Sequence, residues 1–219
     1  MKAVSRDIAR TLRAACDACF GTAAVWPLVE REYGEPRRFD HTLAHLAELF
    51  AHLAPYRTEP PWLAIELAAW AHDVVYATTL PDDADNEARS AQWLVRVANR
   101  HCTASWLHAH ASHPSMARDL VLATQSHRLP ETYAADPPWQ RAGQIFLDAD
   151  LAILAAAPDR LHEYDRALAR MGKGFRCAID RERALAHLRE QAPLFRSAEF
   201  APLEPRTRRN LDMLIDLYG

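Results

Sequence analysis

The segment PWLAIELAAWAHDVVY, residues 61–76, constrains the fold more than any other stretch of the chain. It is apolar on nearly every face, so as a helix it must be enclosed by other helices and not laid along a surface. Toward its C-terminal end it nevertheless carries His72 and Asp73. A charged carboxylate in such surroundings is costly unless something pairs with it. The rest of the chain supplies the enclosing elements. Only 6 of 219 residues are glycine, which suits helices better than glycine-dependent turns and strands. Apolar positions spaced by three and four predict helices at 4–20, from near Asp40 to Leu53, and at 61–76, 87–99, 115–127, 141–155, 159–171, 179–191 and 204–218. Asp40 reads as a helix N-cap, the stretch TTLPDDADN as a polar loop, and residues 101–115 as irregular and His-rich. There is no two-residue alternation and no internal repeat. The expectation is an all-α fold of eight or nine helices in a single domain over 1–219. Its motif-bearing core spans about 33–155, and helices in 158–219 pack on it.

Charge and composition remove several function classes. Lys and Arg number 26 against 29 Asp and Glu, a net −3, so the cationic excess of a nucleic-acid binder is missing. No run of about 18 uncharged apolar residues is available to span a bilayer. The N-terminus carries Arg6, Asp7, Arg10 and Arg13, unlike a signal peptide. Cys16, Cys19, Cys102 and Cys177 are too few and too irregular for a disulfide framework. They read as buried thiols in a reducing, cytoplasmic setting.

The count that stands out is 11 His. His41 and His45 lie four apart in one expected helix and so project from one face. His72 and Asp73 end the buried helix, and Asp148 and Asp150 sit within the apolar run QIFLDADLAIL. One divalent cation in the core, held by two His and two Asp from three helices, accounts for all of these buried polar groups. Imidazole and carboxylate together suit Zn, Fe, Mn, Ni or Co. The alternative is a metal-free, mutually hydrogen-bonded polar network.

The blocks YGEPRRFDHTLAHL, ELAAWAHDVVY, DNEARSA, LATQSH and FLDADLAIL, in that order, resemble the HD-domain superfamily of metal-dependent phosphohydrolases. The closest resemblance is to its bacterial group of predicted metal-dependent HD-superfamily phosphohydrolases, over about Tyr33 to Ile153 and more weakly through TRRNLDMLI. The resemblance implies an HD-type helical bundle and a metal held by His45, His72, Asp73 and Asp150. Asp150 outranks Asp148 because the second Asp of such D-A-D blocks is usually the ligand; Asp148 is then a partner behind the ligands. His41 falls where related phosphodiesterases have a general-acid His. Two departures stand out. Asp40 replaces a Tyr before the first His, and Asn86 precedes Glu87 where dinuclear members commonly place a His, which argues for one metal.

The expected chemistry is hydrolysis of a small phosphate ester or nucleotide. One divalent ion (Mn, Fe, Co, Ni, Zn or Mg) would polarise a phosphoryl oxygen and acidify a water toward a pKa of about 7. Arg38 is the first candidate cation for the phosphate, His41 the proton donor to the leaving oxygen, Glu87 a group orienting water or a ligand His, and His127 a further phosphate contact. Each has a plainer reading. Arg38 could be one of a solvated Arg37–Arg38 pair, His41 a structural helix His, Glu87 a first-turn carboxylate favoured by the helix dipole, and His127 a helix-end cation. Arg206, Arg208 and Arg209 read as a solvated helix start or an oligomer contact, and His101, His108, His110 and His113 as a solvated linker. A non-catalytic HD-fold module binding metal or nucleotide, and a di-iron HD-type oxygenase, are the competing functions.

Overall fold

In the computed structural model, residues 5–36, 38–58, 61–77, 85–171 and 185–217 are described. The expectations for Arg37, the loop at 78–84, Cys177 and the first part of the helix at 179–191 fall outside these residues. The described residues fold into helices joined by turns and irregular segments, with no strand among them. In chain order the helices are α1 (Arg6–Phe20), α2 (Trp26–Tyr33), α3 (Leu43–Leu53), α4 (Trp62–Ala71), α5 (Asn86–His101), α6 (Ala104–Ala109), α7 (His113–Ala123), α8 (Pro137–Leu151) and α9 (Pro158–Met171). A helical stretch at 185–190 (α10) and α11 (Glu204–Asp216) follow.

α4 is the centre of the fold, as its all-round apolar sequence requires. Ala64, Ile65 and Leu67 through Ala71 are buried, and α1, α3, α5, α7 and α8 all pack against this one helix. The buried apolar residues from Leu12 to Leu214 form one contiguous core. α11 closes that core from the C-terminal side against the 3-10 turn Ala152–Ala155 that follows α8.

Helix ends depart from the sequence pattern where local capping overrides periodicity. α3 begins at Leu43, because the Thr42 side chain accepts from the amide of Ala44 at 3.3 Å; Asp40 is therefore not the cap. α4 stops at Ala71 instead of running to Tyr76. The chain beyond it is tied to α5 by side-chain hydrogen bonds. Ser90 Oγ accepts from Val75 N–H and donates to Val75 C=O, while the Asn86 carboxamide pairs with both N–H and C=O of Ala77. Residues 86 and 90 lie one helical turn apart, so both side chains reach this segment from one face of α5. α8 starts at Pro137, earlier than expected, where Asp136 accepts from the Trp139 amide at 3.4 Å. The His-rich stretch expected to be irregular contains the short α6, capped by Thr103.

Asp148 serves the fold and not the ligand set, a correction to its expected place behind the metal. It is buried, and its carboxylate accepts from the amides of Arg196 and Ser197 and from Ser197 Oγ at 2.6–3.1 Å. Two residues apart on a helix means about 200° of rotation, so Asp148 and Asp150 face opposite sides. Asp148→Ala leaves those donors buried and unsatisfied. It is expected to lower stability by about 2–4 kcal/mol while leaving divalent-metal affinity within about twofold. Urea unfolding alongside a metal titration checks both outcomes.

Candidate metal centre

Three helix ends converge on one point. The Thr42 cap sets His45 in the first turn of α3. His72 is the first residue past α4, and its Nδ1 lies 2.9 Å from Ala69 C=O. A proton on Nδ1 donating to that carbonyl leaves Nε2 with its lone pair facing the interior, as a metal-ligating histidine requires. Asp73 follows in the turn, and Asp150 comes from the last turn of α8, which packs on both α3 and α4.

The ligand atoms lie close together. His45 Nε2 and His72 Nε2 are 3.0 Å apart; Asp150 Oδ1 is 3.6 and 3.5 Å from them, and Asp73 Oδ2 is 3.6 and 3.1 Å from them. A point equidistant from the two nitrogens and Asp150 Oδ1 lies about 2.0 Å from each, and with Asp73 Oδ2 the corresponding figure is about 1.9 Å. These are bond lengths of first-row divalent ions to nitrogen and oxygen. His45, His72 and Asp150 could therefore hold a metal ion, and Asp73 Oδ2 lies beside the same two nitrogens.

The electrostatics of the metal-free cluster follow from its closeness. Burial alone would depress both imidazoles. The Asp150 hydrogen bond and the nearby carboxylate charges reverse this for His45, and the charge of Asp73 foremost does so for His72, which stands well above the ordinary range. Burial would raise the carboxylates, but the His charges hold Asp73 below, and Asp150 well below, the usual carboxylate range. Raised His values stabilise the fold below the ordinary imidazole pKa, and that contribution is lost as pH rises through the folded value. Lowered Asp values stabilise above the ordinary carboxylate pKa, and that contribution is lost as pH falls. The metal-stripped protein should therefore gain most from the cluster between about pH 4 and about pH 6.5. Thermal unfolding against pH, compared with a His72→Gln/Asp150→Asn double variant, should show the wild-type excess peaking there. An excess still growing at about pH 8 would contradict this.

Each carboxylate also has an outer histidine. His41 Nε2 is 3.5 Å from Asp73 Oδ2, and His127 Nε2 is 3.3 Å from Asp150 Oδ2. Both have left-handed backbone, φ 47° and 50°, and they are the non-glycine residues of the described chain with positive φ. Non-glycine residues adopt this region at an energetic cost and do so mostly where the surroundings demand it. His41 is thus not on the helical face of His45, as the four-residue spacing had suggested. It precedes the helix and stacks on Tyr76 at 4.3 Å. His127 likewise lies beyond α7, not at its end.

Arg38 corrects another expectation. It is buried, and its guanidinium donates to the carbonyls of His41, Asp73 and Val74 at 3.3, 2.6 and 2.8 Å. Tyr33 and Tyr76 flank it at 5.3 and 5.9 Å. With both terminal nitrogens committed to carbonyls it positions the His41 and Asp73 loops and is not presented to a phosphate. Glu87, in the first turn of α5, has its carboxyl pushed up, by burial first and by the Asp73 charge after it. Sequence reasoning missed Tyr76 and the burial of Asp40 beside His41. Asp40 is buried with Oδ2 unpartnered among the described residues, 3.9 Å from His41 Nδ1.

Away from the His/Asp cluster, Cys16, Cys19 and Cys102 are free and buried, and burial raises all three thiols. No helix among the described residues is long and apolar enough to cross a membrane. No family model, curated protein or solved structure matches the chain.

Proposed function

We propose that the chain is a cytoplasmic, metal-dependent phosphohydrolase of the HD-domain type, acting on a small phosphate ester or nucleotide. The observation that supports this reading is the convergence of two Nε2 lone pairs and the Asp150 carboxylate from three helix ends on one cation-sized point, with Asp73 Oδ2 3.1 Å from His72 Nε2. His45, His72, Asp73 and Asp150 would hold a divalent ion, which would supply Lewis acidity to a phosphoryl oxygen and to a water. The chain's own residues do the rest. His72 keeps its ligating lone pair turned inward through the Ala69 carbonyl. Arg38 fixes the loops that carry His41 and Asp73. His41, beside Asp73, donates a proton to the leaving oxygen. Glu87, holding its proton to higher pH than an ordinary carboxyl, and His127 orient water and Asp150. One metal is favoured over the pair an oxygenase needs, because the Asn86 side chain is engaged on both sides by Ala77.

The test loads the purified chain with Mn, Fe, Co, Ni, Zn or Mg and offers phosphomonoesters, phosphodiesters and nucleotides. Metal-dependent release of phosphate or nucleotide is expected, and it should be abolished by Asp73→Ala. His41→Ala should lower kcat by about 10²–10⁴ with metal content unchanged. Turnover indifferent to Asp73→Ala, or none with any metal, would overturn the reading.

A further inference from the structure

A cleft of about 330 Å³ opens on the metal-ligating side chains of His45 and Asp150. One wall is a single face of α3, on which His45, Glu48, Leu49 and His52 follow at helical spacing. Seven residues of helix advance about 10 Å, so His52 marks an end of the cleft roughly that far from His45. The opposite wall is the small, apolar run from Ala149 to Ala156.

The chain segment 200–210 closes the far end. The Phe200 ring lies 6.1 Å from that of His52, and Asn210 donates to the carbonyls of Leu154 and Ala156 at 2.7 and 3.1 Å. Arg206, one helical turn before Asn210, lines the cleft between these two anchors. The other lining guanidinium, that of Arg160, is held in a two-point ion pair by Glu48 at 2.8 and 2.7 Å. Arg208 is likewise spent, on Glu204 and on the carbonyls of Arg189 and Gln191. Burial lowers the pKa of His52, so at neutral pH its ring is an uncharged hydrogen-bonding group. Arg206 has no ion-pair or hydrogen-bond partner among the described residues. The cleft is thus lined by two side chains of the metal cluster, by an apolar wall and by the Arg206 guanidinium.

Resting on the phosphohydrolase reading above, we propose that this cleft takes a small bis-anion. The scissile phosphate sits at the His45/Asp150 end, and a second phosphate or carboxylate about 10 Å away is held by Arg206 beside His52. The volume matches the small end of ligand pockets and leaves no room for a polymer within it.

Calorimetric titration of the Mn-loaded full chain tests this with butanediol and hexanediol bisphosphates, the monophosphates of the same diols, and the corresponding ω-phosphonooxy carboxylates. The bis-anions should bind about tenfold or more tighter than the monophosphates. Arg206→Gln should erase that advantage, leaving monophosphate affinity and metal content within about twofold, whereas Arg209→Gln should change neither. The phosphate and carboxylate arms show which second anion is preferred. Equal affinity of mono- and bis-anions overturns the proposal, and so does Arg206→Gln weakening both alike, since Arg206 would then hold the scissile phosphate. A bis-anion advantage without turnover would sink the hydrolase reading and keep the site; turnover of monophosphates without that advantage would do the reverse.

Discussion

Asp150→Asn is expected to lower divalent-metal affinity by more than about a hundredfold. The substitution keeps the side chain's volume and removes its charge. Asp150 is the carboxylate that faces His45, His72 and His127 together, at 3.6, 3.5 and 3.3 Å. Without it one anionic ligand is gone, and His127 faces a neutral carboxamide in place of a charged acceptor. The two ligand histidines also lose part of the negative field that raises them, so their imidazoles should titrate lower in the metal-free variant. Metal titration by calorimetry and imidazole shifts by NMR read the two effects separately. An Asp150→Asn protein that retains wild-type affinity would remove Asp150 from the ligand set.

The second large effect is structural. Arg38→Ala is expected to destabilise the fold by about 3–5 kcal/mol, because it strands the carbonyls of His41, Asp73 and Val74 inside the protein and empties the space between Tyr33 and Tyr76. Arg38→Lys keeps the charge but cannot reproduce a planar fork reaching three acceptors, so it should recover only part of the loss. Metal affinity should fall about 10–100-fold in both variants, since the loops carrying His41 and Asp73 lose their common tie. Urea unfolding and metal titration provide the readouts. A variant that kept its stability and its metal but raised KM would instead mark Arg38 as a phosphate contact.

What could be read ahead of the structure divides along physical lines. The enclosure of α4 was legible, because a helix apolar on every face has only one stable environment. His72 and the Asp148–Asp150 pair were legible as polar groups in apolar runs, an anomaly visible without coordinates, whereas singling out His45 and Asp150 rested on the resemblance to HD-domain blocks. Asp148 shows the same anomaly, yet it answers to a different partner. Nothing near it in sequence announces the amides of Arg196 and Ser197, some fifty positions away. His41 looked helical because spacing ignores caps, and the Thr42 cap moves the helix start past it. Arg38 reads as a surface residue from its neighbours in sequence, and only the approach of Tyr33 and Tyr76 buries it. Arg206 read only as part of a solvated helix start or an oligomer contact, since its place in the cleft depends on how α11 docks beside the turn after α8.

The most direct measurement is an anomalous-diffraction map of crystals grown with a divalent first-row metal and recorded at that metal's absorption edge. A single peak per chain is expected, about 2.0–2.2 Å from the Nε2 atoms of His45 and His72 and bonded to the carboxylates of Asp73 and Asp150. A peak elsewhere, a second peak of comparable height beside Glu87 and His127, or a metal-saturated crystal with no peak at this point would contradict a one-metal centre built from these four side chains.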